Sequence, residues 1–87
     1  RDLALICDDA LPVAALEKAI RSAVGSTLEE LTLFDVYRGA QVADGKKSVA
    51  YSLTMRAADR TLTDEESDAA VKRALKALRT IGAELRS

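Results

Sequence analysis

The chain has no histidine and a single cysteine, Cys7, in 87 residues. Without imidazole, no side chain has an ordinary pKa poised for proton transfer near neutrality, and the Ser-His-Asp triad is excluded. The usual Cys/His zinc sites go with it. One thiol cannot close an internal disulfide, so a reducing, cytoplasmic setting is expected. Only 1 proline and 4 glycines are present, which excludes collagen-like and low-complexity classes. Long apolar runs are missing as well. None approaches the length of a bilayer span, so no membrane partner is expected. No signal peptide is visible, because Arg1-Asp2 precedes Leu3 to Ile6 and acids follow at once. The first residue is arginine rather than methionine, and residues 1–87 are read as one domain from a longer chain.

What is present is ordinary globular material, with 48% hydrophobic and 31% charged residues. A chain of this size buries roughly 60–65% of its unfolded surface. That is one core, with little room for a deep catalytic cleft. The net charge of −1 is not that of a nucleic-acid binder taken whole. It is unevenly placed, however. Residues 1–37 carry 3 basic and 7 acidic groups, residues 38–60 carry 5 and 2, and residues 61–87 carry 5 of each. The middle segment, with Arg38, Lys46 and Lys47, is the candidate anion-facing stretch. Asp8-Asp9 and Glu29-Glu30 lack a third acid at metal-ligand spacing and read as solvated or capping groups. Cys7 reads as a small buried filler.

Leu3 to Cys7 is a short apolar run that suits a buried strand. Pro12 opens a helix at its first turn. Leu16, Ile20 and Val24 recur at i, i+4, i+8 on one face, and Gly25 ends the helix. Thr27 to Tyr37 is rich in β-branched and aliphatic residues and reads as a strand. Arg38-Gly39 and Asp44-Gly45 bracket a hairpin loop before a strand over Ser48 to Ala57. Thr63 and Glu66 form a capping box for a second helix, whose stripe is Val71, Leu75 and Leu78 beside Ala70 and Ala74. Gly82 stops it, and residues 83–86 leave room for a last short strand. The order β-α-β-β-α-β predicts an α+β, ferredoxin-like fold: a four-stranded antiparallel sheet with two helices on one face.

Alternation then assigns the faces of that sheet. Val49, Tyr51, Leu53 and Met55 turn to the helices, as do Leu3, Leu5, Phe34 and Val36. Ala4, Ile6, Asp35, Tyr37, Ser48, Ala50, Ser52, Thr54 and Arg56 turn to the open side. Leu31 and Leu33 share the parity of Asp35, so either a bulge switches the strand or another part of a larger protein covers that end. The open face offers a ring for base stacking (Tyr37), an acceptor for base N–H groups (Asp35), a hydroxyl (Ser48) and small residues that admit a flat group. Arg38, Lys46 and Lys47 would stand at one end, where a phosphate backbone can run. Solvated sheets also carry such residues. The alternatives are a small-ligand regulatory module, or a protein-interaction module using Leu31 and Leu33. Asp8 and Asp9 disfavour a phosphatase-type anion cradle.

Several blocks carry a family likeness: Arg1-Asp2-Leu3-Ala4; Leu33-Phe34-Asp35-Val36-Tyr37-Arg38-Gly39; Gly45-Lys46-Lys47-Ser48-Val49-Ala50-Tyr51; Arg60 to Glu66; and Leu85-Arg86. In this order and spacing they resemble the ferredoxin-fold anticodon-binding domain at the C-terminus of bacterial phenylalanyl-tRNA synthetase beta chains. The resemblance spans essentially all 87 residues. It implies a noncatalytic module that binds the tRNA(Phe) anticodon stem-loop through its open sheet face and reads a guanine at the first anticodon position. It implies contacts from Ala4, Asp35, Tyr37 and Ser48. It further implies an alpha2-beta2 parent using ATP and Mg²⁺, with its catalytic site on the alpha subunit and no cofactor in this domain. The first and third strands lack the stacking aromatics of RNA-recognition motifs, so the isolated piece is expected to bind weakly.

Overall fold

A computed structural model describes residues 1–39, 42–57 and 59–86. The elements are β1 (Asp2–Asp8), α1 (Val13–Val24), β2 (Leu28–Tyr37), β3 (Lys46–Met55), α2 (Asp64–Thr80) and β4 (Glu84–Leu85), with a short 3-10 turn at Gly25–Thr27. The four strands form one sheet in the order β2-β3-β1-β4. Every pairing is antiparallel. The expected ferredoxin-like α+β architecture is therefore the one observed.

The helices follow from their patterns. Leu16, Ile20 and Val24 are the buried residues of α1. In α2 the buried line is Ala70, Ala74 and Leu78, while Val71 and Leu75 pack at its margin. The small alanines let α2 approach α1 closely, and the two helices pack on each other above the sheet. Pro12 is not in the first turn but caps it, with an extended backbone (ψ 143°). The C-terminus of α2 is a Schellman motif: the amide of Gly82 donates to Arg79 O (3.2 Å) and that of Ala83 to Leu78 O (2.9 Å). It requires the positive φ of Gly82 (94°).

The capping box at the start of α2 forms as expected. The amide of Glu66 donates to Thr63 Oγ1 (3.2 Å) and that of Thr63 to Glu66 Oε1 (3.1 Å). Arg60 adds a fork onto the same carboxylate at 2.6 and 2.7 Å. Together, the Arg60 guanidinium first and then the Thr63 amide, these hold the Glu66 carboxyl down from 4.5 to about 2. A depressed folded-state pKa means that the ionised form favours folding. The contribution is therefore complete above about pH 4.5 and is lost as pH falls towards 2. Thr63→Ala is expected to cost about 1 kcal/mol. Glu66→Gln should lower the urea midpoint at pH 7 and converge on the wild type near pH 2. Parallel curves across that pH range would contradict the assignment.

The core lies between sheet and helices. Leu3, Leu5 and Cys7 of β1 and Val49, Tyr51 and Leu53 of β3 pack beneath Leu16, Ile20, Ala74 and Leu78. Burial pushes the Cys7 thiol up, the state of an inert filler.

The parity problem in β2 is resolved by a bulge. Leu31 pairs with Leu53 and Leu33 with Tyr51, both partners in the core, yet Asp35 pairs with Ala50 and Tyr37 with Ser48. The register shifts between Leu33 and Asp35, which leaves Phe34 as the surplus residue. Leu31 and Leu33 thus belong to the helix side, and Asp35 and Tyr37 to the open side. Phe34 departs from its expected inward place. Without a partner on β3 it is 56% exposed. A second shift, between Leu28 and Glu30, keeps Leu28 with Met55 on the helix side.

Candidate nucleic-acid interface

The registers lay the open face out in rows. Asp35, Ala50 and Ala4 stand side by side across β2, β3 and β1, and Tyr37, Ser48 and Ile6 form the next row. Same-face residues on one strand stand about 6.7 Å apart, so each row is a strip about as wide as one flat base. In the first row the two alanines make a low floor, with the Asp35 carboxylate at one end.

The other end is held by a residue that alternation did not single out. The backbone amide of Arg86 donates to Ala4 O (2.7 Å), which extends the β4 pairing along β1. Its guanidinium reaches over the sheet and donates from Nη1 to Ser48 Oγ (3.2 Å). The guanidinium therefore lies over the row of Tyr37, Ser48 and Ile6, next to the alanine row that Asp35 ends. Its signal in the sequence was the closing Leu85-Arg86 block. Ser48 has the expected side but not the expected exposure. Packed under Arg86, it is 6% exposed.

The basic end differs from expectation more sharply. Lys46 and Lys47 open β3 rather than lying in the loop. Lys47 pairs with Cys7, on the helix side, and is 4% exposed. Its Nζ donates to the Asp9 carbonyl (3.1 Å). Lys46 is on the open side but meets Asp8 Oδ1 at 2.6 Å, a bond that raises its pKa and keeps it charged. Arg38 pairs with Asp9. Asp8 and Asp9, expected to be solvated or capping groups, are exposed and also pair with Lys46 and Arg38 of the hairpin. The amide of Asp9 adds a bond to Gly45 O (2.8 Å). Arg38, Lys46 and Lys47 order the loop before they offer charge to anything else.

Tyr37 is positioned by its own turn. A Cβ on Gly39 would stand 2.7 Å from Tyr37 Oη and 2.9 Å from Cζ. Gly39 is not in the left-handed region, unlike Gly25, Gly45 and Gly82. Here glycine leaves room for the phenol folded over it, and backbone angle does not demand it. Gly39→Ala is expected to swing the ring away while leaving stability within about 0.5 kcal/mol. Displaced ring resonances at an unchanged urea midpoint would bear this out, and an unmoved ring would refute it.

Among the described residues no group of three or more His, Cys, Asp or Glu side chains is arranged to hold a metal ion. No helix is long and apolar enough to cross a membrane.

A four-stranded antiparallel sheet with two helices on one face and the other face bare is an architecture that RNA-binding modules share. Residues 1–86 match the family model described as "Ferredoxin-fold anticodon binding domain", and the chain belongs to that family. It is similar to proteins named phenylalanine–tRNA ligase beta subunit. The one from Symbiobacterium thermophilum is 55% identical over 87 residues, covering 100% of this chain and 10% of that protein. The one from Streptomyces avermitilis is 54% identical over 91 residues (100% and 11%). That from Clostridium tetani is 48% identical over 87 residues (99% and 11%). The chain thus spans about a tenth of the length of these relatives.

Proposed function

We propose that this is the anticodon-binding domain of a phenylalanine–tRNA ligase beta subunit, and that residues 1–87 are one domain of a longer chain. In this reading its open sheet face receives the anticodon loop of tRNA(Phe). The observation that carries the reading is the row from Arg86 through Ala4 and Ala50 to Asp35. A guanine laid on the alanines presents its N1–H and N2–H donors to the Asp35 carboxylate, an acceptor suited to them. Tyr37 supplies a π-face in the adjoining row, and Ser48 a hydroxyl already oriented by Arg86. Arg38 and Lys46 flank the loop end, while Lys47 holds that end together from below.

The domain's work is recognition and not catalysis. The parent, an alpha2-beta2 enzyme of the cytoplasm, joins phenylalanine to its tRNA with ATP and Mg²⁺ in a site on the alpha subunit. Recognition here raises the residence of the right tRNA on that enzyme through linked contacts. The test is chemical-shift mapping of the domain with a short anticodon stem-loop. Ala4, Asp35, Tyr37, Ser48 and Arg86 should respond, and α1 should stay silent. A response confined to the helices would overturn the reading.

A further inference from the structure

The hairpin cations Arg38 and Lys46 already face carboxylates, so a phosphate there competes with an ion pair. Arg38 and Lys46 face Asp9 and Asp8, Arg1 faces Asp64 and Asp68, Arg56 faces Glu29, and Arg60 faces Glu66. A phosphate arriving at the hairpin has to displace a carboxylate and remain beside it. Among the described residues, Lys72, Lys76 and Arg79 of α2 make no such ion pair. With Leu75, Glu84 and Leu85 they line a groove of about 610 Å³ between α2 and β4. Leu85 is 52% exposed there. Lys18 and Arg21 of α1 also lack an ion pair but are not part of this groove.

The helix dipole explains only part of this stripe. It favours a cation in the last turn, where Arg79 stands, and its effect fades beyond that turn. Lys72 lies two turns further back, and at i, i+4 it repels Lys76. A bound polyanion relieves that repulsion. The three charges stand at i, i+4 and i+7, a track about 10 Å long. The track runs beside β4, the strand at which the open face ends. Glu84 pairs with Ile6 on that face, and Arg86 lies against Ala4 on it.

We infer that this groove carries the phosphate backbone of RNA as it leaves the open face over the β4 edge. Lys72, Lys76 and Arg79 take phosphates, and Leu75 and Leu85 meet the riboses. Three cations against the single carboxylate of Glu84 favour a polyanion over a neutral partner. The inference rests on the open-face reading above and adds the path of the strand.

The experiment is a titration of the assembled enzyme with tRNA between about 50 and 200 mM salt. The triple variant Lys72→Ala/Lys76→Ala/Arg79→Ala should reduce the slope of log K against log salt by about 2. It should weaken every tRNA alike and leave the preference for the first anticodon base untouched. Lys72→Arg/Lys76→Arg should keep the full slope. An unchanged slope in the triple variant, with Asp35→Ala still erasing base preference, overturns the groove and spares the open face. An unchanged slope accompanied by easier proteolytic release of the domain assigns the groove to an acidic protein segment and likewise overturns the inference. If Asp35→Ala also has no effect on base preference, the open-face reading itself fails.

Discussion

Tyr51→Ala is expected to cost about 3–5 kcal/mol of stability. A chain of 87 residues has only about 4–13 kcal/mol in total, so the variant should lose about a quarter or more of its stability. Tyr51 is the largest fully buried side chain, set in the middle of β3 beneath the helices. Its hydroxyl lies 3.3 Å from Val13 O and 3.4 Å from Glu17 Oε2, one proton shared between two acceptors. Burial, with Glu17 beside it, pushes the phenol well above its ordinary pKa, so it stays a neutral donor. The ring accounts for most of the loss. Tyr51→Phe keeps the ring and should cost about 1 kcal/mol. Urea unfolding at constant m separates the two. Equal midpoints for the alanine and phenylalanine variants would show that the cavity is not the dominant effect.

Asp35→Ala is expected to remove about 1–3 kcal/mol of preference for guanine at the first anticodon position, a factor of about 5–150. Tyr37→Ala should cost a similar amount, spread evenly over all bases, because every base presents a π-face. The contrast follows from where the two residues stand. Asp35 ends the alanine row, where in the proposed reading it would meet the edge of a base, whereas Tyr37 lies a row away and would offer a surface. The measurement is the affinity of the assembled enzyme for tRNAs carrying each base at that position. A Tyr37→Ala variant that loses discrimination while Asp35→Ala keeps it would reverse the two roles.

The reasons the sequence was readable in some places and not in others are specific. The helices were legible because their signals are local: a 3.6-residue stripe in α1, and Thr63 and Glu66 at capping-box spacing. The faces of β1 and β3 were legible because alternation runs unbroken along both. In β2 alternation alone left two options, since a bulge is decided by cross-strand pairing that the strand's own residues do not encode. Phe34 was misplaced for that reason. Lys47 was misplaced because a lysine beside a loop looks solvated, until the Asp9 carbonyl is brought to its Nζ by a turn 38 residues away in sequence. Ser48 had the right side but not its cover, because Arg86 arrives from the far end of the chain. Side-chain direction is a property of the strand. Occlusion depends on whatever else the fold delivers.

The bulge at Phe34 also changes what the strand can survive. Losing one residue from a regular strand exchanges its inner and outer surfaces, which is ordinarily ruinous. In β2 the ladder already passes over Phe34, pairing Leu33 with Tyr51 and Asp35 with Ala50. A chain shortened by that residue would zip flush, with every remaining neighbour keeping its orientation. This edge therefore holds a spare link, and the part proposed to read a base is buffered against a slip in length just upstream of it.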